Sequence, residues 1–454
     1  MAAFPASVDS PLMSSAAASS PRGFPPEFVW GTATSAFQIE GSPAADGKGP
    51  SIWDEFCRRP GAIRDRTNAD AACDHYRRMP EDVDLLASLG VKAYRFSISW
   101  PRLFPEGRGT LNSAGLDFYR RLTDALLSRG IEPWATLYHW DLPAALEREG
   151  GWGKRRTAEY FAEYAHAAAR ALGDRVRYWM PVNEPGVVMA LGYVLGGHAP
   201  GRRSPVLALK VMHHLLLAHG LATQAVRAAA PSVRVGPVIN FSPVYDRTGR
   251  RFVSRGWRHA LANRLFLDPV GRGRYPLGLG IPLRAMGCCR PGDMQVIAQP
   301  LDFIGVNYYS RQQGWGRRPG PRTAMGWEIF PQGLYDLLCW LHQALPALPL
   351  VVTENGAAFD DQVENSAVHD PERREYLRAH LQSVRQALDR GVPVQGYFCW
   401  SFLDNFEWAE GLSRRFGLVY VDYADQRRIV KDSGRWFGRV CREGLIPDES
   451  GEPA

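Results

Sequence analysis

The chain has 454 residues, of which 45% are hydrophobic and 22% are charged, as in an ordinary globular protein. The formal net charge is +7. Lysine and arginine are spread along the chain with short clusters such as 154–156. We interpret them as a solvated basic surface and expect no nucleic-acid partner. We also expect no membrane partner, because no apolar run reaches the roughly 18 residues that a spanning helix needs.

The two ends of the chain differ in composition from the rest. Residues 1–23 are rich in Ala, Ser and Pro and lack the charged start and apolar core of a secretory signal, which predicts a disordered leader. One folded domain is expected at 24–446 and a short tail at 447–454. The seven cysteines are odd in number, and the chain contains no CxxC pair. The odd count and the absent secretory signal favour free thiols in a reducing compartment and a cytoplasmic location, and without a CxxC pair we expect no bound metal.

Short β-branched or aromatic segments alternate along the chain with longer helical patterns. The predicted strands are Phe28–Thr34, Ala93–Ser97, Glu132–Tyr138, Tyr178–Asn183, Val233–Asn240, Phe303–Asn307, Leu350–Glu354 and Val394–Trp400. The predicted helices include Ser113–Arg129, Thr157–Leu172, Val206–Ala229, Pro331–Leu345 and Pro371–Arg390. Eight strands that alternate with helices predict an α/β fold, a single (β/α)8 TIM barrel whose active site lies at the C-terminal ends of the strands.

Reactive residue types stand at these predicted strand ends. They are Arg95, His139, Asn183, Glu184, Asn307, Glu354 and Trp400. Two glutamates on rigid strand ends suit cleavage of a glycosidic bond, where one carboxyl group donates a proton and the other stays ionised. Taken alone, Glu184 in Asn-Glu-Pro is as often a surface or capping residue. Its neighbour Asn183 favours the catalytic interpretation, since an amide can bond a sugar 2-hydroxyl.

The segment Thr353-Glu354-Asn355-Gly356 is more specific. An ionised nucleophile needs donors around it. Arg95 is a candidate cation, although an arginine in a strand is more often a structural ion pair. The hydroxyl of Tyr308 or Tyr309 is a candidate hydrogen-bond donor. Gly356 is expected to let the backbone turn sharply beneath the pocket.

Two aromatic segments follow predicted strands. His139-Trp140 suits a loop that binds sugar hydroxyls and covers the apolar face of a sugar ring, although a lone histidine there is usually a packing residue. We reject a metal site at His139, because no second histidine at ligand spacing accompanies it. The segment from Trp400 to Trp408 reads either as an aromatic core loop or as the floor of a sugar site, with Glu407 as acceptor.

Further motifs occur in one order along the chain, and together they resemble glycoside hydrolase family 1, the β-glucosidase family. They lie at 28–41 (FVWGTATSAFQIEG), 46–54 (DGKGPSIWD), 94–100 (YRFSISW), 302–309 (DFIGVNYY) and 325–329 (MGWEI). With the segments above, the resemblance covers roughly 24–444.

The resemblance implies a retaining β-glucosidase that works without metal or cofactor. Glu184 matches the acid/base and Glu354 the nucleophile. The residues that match sugar-holding positions are Gln38, His139, Asn183, Trp400, Glu407 and Trp408, with Trp140 expected beside them. Trp327 matches a wall of the aglycone subsite, the part of the site that holds the leaving group. The residues expected to keep the nucleophile ionised and aimed are Arg95, Asn307 and Tyr309.

The implied substrates are β-glucosides or cello-oligosaccharides, and also β-fucosides and β-galactosides. A carboxylate at Glu407 is expected to repel a 6-phosphate, so neutral sugars are favoured. The segments 275–299 and 311–322 depart from the family pattern, which leaves the aglycone preference open. A sugar-binding protein on a decayed barrel and an enzyme used mainly for transglycosylation stay as alternatives. The sequence predicts no oligomeric state.

Overall fold

The computed structural model describes residues 23–246, 248–312 and 320–447. The predicted leader and tail lie outside these residues except for one residue each, at 23 and 447. Part of the basic segment 311–322 lies outside them as well.

Nine parallel strands form the central sheet. They are β1 Val29–Ala33, β2 Ala93–Ser97, β3 Glu132–Tyr138, β4 Tyr178–Val182, β5 Arg234–Val235, β6 Val238–Asn240, β7 Ile304–Asn307, β8 Leu350–Asn355 and β9 Val394–Trp400. Their order in the sheet is β5-β4-β3-β2-β1-β9-β8-β7-β6. The two end strands, β5 and β6, are consecutive pieces of one chain segment, so the sheet closes on itself. This confirms the predicted (β/α)8 barrel.

The fifth barrel position is interrupted where the sequence predicts one strand, Val233–Asn240. Pro237 has no N–H to donate to a neighbouring strand, so β5 ends and β6 begins around it. β5 pairs with β4, and β6 pairs with β7. The backbone N–H of Glu184 donates to the carbonyl of Val238 at 3.0 Å, which joins β4 to β6 across the interruption.

Long helices follow the strands around the outside of the barrel. They are α1 His75–Leu89, α2 Ser113–Ser128, α3 Arg155–Leu172, α4 Pro205–Ala229, α5 Leu265–Arg272, α6 Pro331–Ala344, α7 Pro371–Asp389 and α8 Asp432–Glu443. Shorter helical segments lie in the loops, at Ala36–Ile39, Ile52–Cys57, Trp100–Leu103, Ala144–Arg148, Pro185–Val187, Val188–Val194, Trp257–His259, Ala260–Arg264, Pro276–Gly278, Gly280–Ala285, Asp293–Ile297 and Trp408–Glu410. The five predicted helices are confirmed, with ends that differ by at most two residues.

Helix α4 is long and apolar enough to cross a membrane, and 72% of its apolar window is buried inside the fold. It packs along α3. The amphipathic face of α3 and the apolar length of α4 therefore bury each other, and α4 behaves as a core helix.

Apolar side chains fill the inside of the barrel, one from almost every strand. They are Ala93, Trp134, Met180, Val238, Phe303, Val351 and Phe398. Inward positions recur every second residue along a strand. Arg95 therefore lies one inward position beyond Ala93 on β2, and Trp400 one beyond Phe398 on β9. The barrel interior changes from apolar to polar and aromatic toward the C-terminal ends of the strands.

The C-terminal end of the chain fixes the loop that follows β9. A short hairpin, β10 Val419–Val421 and β11 Arg428–Val430, leads into α8. Lys431 is fully buried between them, and its ammonium group donates to Asp361 at 2.5 Å and to Asp404 at 2.7 Å. Asp404 belongs to the loop after β9, so this ion pair holds the predicted sugar-site loop against the end of the chain.

Replacing this lysine (Lys431→Met) preserves the volume but removes one counter-charge from two buried carboxylates. We expect the free energy of unfolding to fall by about 3–5 kcal/mol, measured by guanidinium chloride unfolding at neutral pH. The control is Arg439→Met, whose exposed partner Glu443 lies 3.7 Å away. It should cost less than about 1 kcal/mol. Equal losses in the two variants would contradict a structural role for Lys431.

Candidate active site

Both predicted catalytic glutamates are buried and line one cavity of about 570 Å³ at the C-terminal end of the barrel. Glu184 lies two residues after the end of β4, and Glu354 lies in β8. The other predicted residues that line this cavity are His139, Trp140, Tyr309, Trp327, Trp400, Glu407 and Trp408. The remaining four, Gln38, Arg95, Asn183 and Asn307, are fully buried and contact residues of the wall.

Both carboxylate oxygens of Glu354 accept hydrogen bonds. Arg95 Nη1 donates to Oε1 at 2.5 Å, and the hydroxyl of Tyr309 donates to Oε2 at 2.7 Å. The hydroxyl of Tyr308 instead donates to the carbonyl of Phe330 at 2.6 Å. Of the two tyrosines that the sequence left as alternatives, Tyr309 is therefore the one that donates to Glu354. Two donors, one of them cationic, stabilise the charged carboxylate and fix its direction.

The environment of Glu184 is different. Burial, followed by the negative charge of Glu354, raises the pKa of Glu184 to about 8. Its Oε1 accepts from the amides of Asn307 at 2.8 Å and Asn240 at 3.0 Å. Glu184 is therefore largely protonated at neutral pH, and because Oε1 is occupied as an acceptor, the proton belongs on Oε2.

The structure differs from the expectation that Asn307 would support the nucleophile, because its amide bonds Glu184. Thr353 donates its hydroxyl to Asn307 Oδ1 at 2.7 Å, which turns the amide nitrogen toward Glu184. The pairing of β7 with β8 shifts register at Asn307 and Glu354. Asn307 therefore positions the proton donor, and its amide makes no hydrogen bond to the Glu354 carboxylate.

A hydrogen-bonded chain connects the nucleophile to the predicted sugar-binding histidine. Arg95 Nη2 donates to Asn183 Oδ1 at 2.6 Å, and Asn183 Nδ2 lies 3.1 Å from His139 Nε2. This makes Nε2 the acceptor and leaves the proton on Nδ1, which has no hydrogen-bond partner among the described residues. Burial and then the charge of Arg95 hold the pKa of His139 well below its usual range. The ring is therefore neutral at neutral pH.

At the other side of the cavity, Gln38 supports Glu407 from behind. Its amide donates to Asn405 Oδ1 at 2.9 Å, to the carbonyl of Phe406 at 3.0 Å and to Glu407 Oε2 at 3.4 Å. Burial, followed by the negative charge of Glu354, raises the pKa of Glu407 to about 8. In the empty pocket at neutral pH, Glu407 is largely protonated and can both donate and accept.

This protonation changes the expectation about phosphorylated sugars. A neutral Glu407 does not repel a 6-phosphate by charge. The pocket instead offers little positive charge to balance the negative charge of a phosphate. Arg311, the cation among the described residues that line the cavity, is already paired with Glu328 at 2.6 Å.

Aromatic rings form the walls around these polar groups. The His139 and Trp400 rings stack with centroids 5.7 Å apart, and those of Trp140 and Trp408 lie 4.5 Å apart. Glu184, Trp140 and Trp408 all adopt left-handed backbone, with φ of 47°, 79° and 50°. Non-glycine residues rarely do so, and such positions cluster at functional sites where the surrounding structure enforces them.

Sequence reasoning missed several residues of the cavity wall. Asn240 ends β6, so the strand-end pattern that singled out Asn307 applied to it equally. Other apolar wall residues that the sequence did not single out are Val187, Leu191 and Phe416.

One group of potential metal ligands lies away from the cavity. The ligand atoms of His213, Cys289 and Asp293 are all buried and lie within 4.8 Å of one another. Both Asp293 oxygens already accept from the guanidinium of Arg155, at 2.6 and 2.8 Å. A cation placed there would face this positive charge at close range.

Comparison with known proteins shows which family the chain belongs to. The family model for glycosyl hydrolase family 1 matches residues 20–319 and 312–444. The chain belongs to glycosyl hydrolase family 1. Among family relatives, β-glucosidase A of Thermotoga maritima is 46% identical over 442 residues, covering 94% of this chain and 99% of the relative. The bifunctional β-D-glucosidase/β-D-fucosidase of Bifidobacterium breve is 44% identical over 456 residues, covering 92% and 98%.

Solved structures of family 1 agree with the fold. The Thermotoga maritima β-glucosidase in complex with deoxynojirimycin superposes with a TM-score of 0.88 at 46% identity, covering 93% of this chain and 99% of that chain. A 1,4-β-D-glucan glucohydrolase of Thermotoga neapolitana is also 46% identical over 442 residues, covering 94% of this chain and 99% of the relative. Like the other members, this chain is a glycoside hydrolase.

A substitution of Asn240 tests how hydrogen bonding sets the pKa of the proton donor, Glu184. Its hydrogen bond favours the charged form of Glu184, so Asn240→Ala should raise the pKa of Glu184 above about 8. A step that needs protonated Glu184 then survives to higher pH. We expect the alkaline limb of the kcat/KM profile to move up by roughly 0.5–1 pH unit.

Ser242→Ala is the control, since Ser242 lines the same cavity and its hydroxyl makes no described bond to Glu184. Its profile should match that of the wild type. An unchanged or lowered alkaline limb in Asn240→Ala would show that Asn240 does not tune the acid.

Proposed function

We propose that this protein is a retaining β-glucosidase that removes terminal, non-reducing β-D-glucosyl residues through a covalent glycosyl-enzyme. One contrast carries the proposal. Two glutamates share a cavity, yet Glu354 is held by Arg95 and Tyr309 in the form a nucleophile needs, while Glu184 has a raised pKa suited to an acid.

In the first step, the Glu354 carboxylate attacks the anomeric carbon, and the bond to the leaving oxygen breaks. Glu184 gives its Oε2 proton to that oxygen, and the sugar becomes an ester on Glu354. The charge of Glu354, which helped to raise the pKa of Glu184, is then gone. The pKa of Glu184 falls, so it can take a proton from the water that replaces Glu354 at the anomeric carbon.

The cavity supports neutral sugars at its inner end and a flat or apolar group at its mouth. A neutral Glu407 with Gln38 behind it can bond several arrangements of ring hydroxyls. The name of the Bifidobacterium breve relative supports activity on β-fucosides as well, and we extend the proposal to β-galactosides. Trp327, with the apolar lining residues Val187 and Leu191, suits a second sugar ring or an aryl aglycone.

The covalent intermediate also allows transfer to a sugar acceptor in place of water. A product chromatogram at high substrate concentration distinguishes the two outcomes. Oligosaccharides longer than the substrate indicate transglycosylation, and glucose alone excludes it.

Removal of the acid (Glu184→Ala) should depend on the leaving group. Cellobiose needs a proton on its departing oxygen, so we expect kcat/KM to fall by about 10²–10⁴-fold. An activated aryl glucoside such as 2,4-dinitrophenyl β-glucoside leaves unaided and should lose far less. Glu354→Ala is the control and should lose activity on both substrates. Equal losses of Glu184→Ala on both would refute the acid assignment.

The stereochemistry of the product tests the retaining mechanism. Proton NMR of fresh reactions with p-nitrophenyl β-glucoside, β-fucoside and β-galactoside should show the β-anomer of the free sugar first. First appearance of the α-anomer would indicate inversion. No release from any of the three would favour a sugar-binding protein on the same barrel. The α-glucoside and the 6-phospho-β-glucoside should not be cleaved.

A further inference from the structure

Positive charge is concentrated in one segment of the chain, more than the even spread that the sequence suggested. Residues 248–290 contain nine arginines and no lysine, and Asp268 is the single acidic residue. The segment carries a formal charge of +8, whereas the whole chain carries +7. The rest of the protein is therefore close to neutral.

Much of this charge is uncompensated. Asp268 is already paired with Arg264 at 2.7 Å and lies 3.6 Å from Arg272. Arg250, Arg251 and Arg274 are exposed. Among the described residues, none of these three has a carboxylate within 4.0 Å. Their guanidinium groups are open to an external anion.

Large apolar side chains are exposed in the same segment. Trp257 is 65% exposed, Leu261 44%, Leu277 56% and Ile281 75%. Trp257 and Leu261 are four residues apart in adjacent helical segments. Leu277 has left-handed backbone, with φ of 56°, and lies just before the helical segment that contains Ile281. The segment Ala260–Arg264 contacts the turn Pro276–Gly278, which brings the two pairs to one region of the surface. We call the exposed side chains of residues 248–290 the arginine-rich surface.

This surface lies beside the mouth of the active site. Asn263 accepts the backbone N–H of Ser242 at 2.9 Å, and Ser242 lines the cavity. The ring of Phe266 lies against Gly186, two residues after Glu184. The arginine-rich surface therefore shares the catalytic end of the barrel, although none of its arginines lines the cavity.

We propose that the arginine-rich surface docks on an anionic lipid bilayer, which reverses the expectation of no membrane partner that rested on the length of apolar runs alone. Exposed Trp, Leu and Ile side chains among arginines combine the two forces that hold a peripheral protein at a bilayer: apolar insertion at the headgroup boundary and attraction to acidic headgroups. A second copy of this chain is disfavoured as the occupant, because a symmetric contact would bring two strongly positive surfaces together.

The test is co-sedimentation of the full chain with vesicles of phosphatidylcholine alone or mixed in equal parts with phosphatidylglycerol. We expect binding only to the anionic vesicles, weakening as salt is added. The triple variant Arg250→Gln/Arg251→Gln/Arg274→Gln should bind on the order of 100-fold more weakly, since each arginine near such a surface contributes about 5-fold.

Two further variants distinguish binding through this surface from binding through the total charge of the protein. Arg121→Gln/Arg156→Gln/Arg170→Gln removes the same charge from exposed positions on α2 and α3, and should bind within about 3-fold of the wild type because none of the three belongs to residues 248–290. Trp257→Ser/Ile281→Ser keeps every charge but should lose on the order of 10-fold. Unchanged melting temperatures would show that all three variants are folded.

Three results would overturn the proposal. The first is no binding to the anionic vesicles at low salt, and the second is equal loss in the two arginine triples. The third is tight binding to a soluble polyanion such as heparin together with full vesicle binding by Trp257→Ser/Ile281→Ser. That result would identify a charge-only surface, suited to an acidic polymer or an acidic protein and not to lipid.

Discussion

Three carboxyl groups, from Glu184, Glu354 and Glu407, are buried around one cavity, and a buried carboxylate needs a partner charge or a proton. The guanidinium of Arg95 pairs with the carboxylate of Glu354 and stabilises that carboxylate as an anion. The negative charge of Glu354 then acts on the other two, and together with burial it raises both pKa values to about 8. The division into nucleophile, proton donor and neutral sugar ligand thus follows from where one arginine lies on β2.

The barrel makes this arrangement possible because its parallel strands bring their C-terminal ends to one opening. Arg95, Glu184, Asn307 and Glu354 come from strands or strand ends that are far apart in the chain, yet each is held by backbone pairing on a rigid element. The apolar cluster beneath them excludes water from the lower interior. Electrostatic contacts above it act in a less polar medium, where they are stronger than in water.

The strand pattern predicted which residue types meet, but it did not predict how they meet. A strand end locates Asn307 and Asn240, whereas the choice between Glu184 and Glu354 as partner depends on a register shift and on Thr353, which no local pattern reveals. Gly356 shows the same limit. Its φ is not in the left-handed region. It is glycine because an added Cβ would lie 1.6 Å from the carbonyl of Trp400, a neighbour visible only in three dimensions. Contacts between distant segments, such as Gln38 with Glu407, are hidden for the same reason.

The pairing of β1 with β9 has a consequence for synthesis of the chain. One edge of β1 has its partner in β9, the glutamine behind Glu407 comes from the first folded residues, and the lysine that fixes Asp404 comes from near the last. A ribosome delivers these ends in sequence. The edge of β1 that pairs with β9 therefore stays unpaired until β9 has been synthesised. A nearly complete nascent chain still has no sugar pocket.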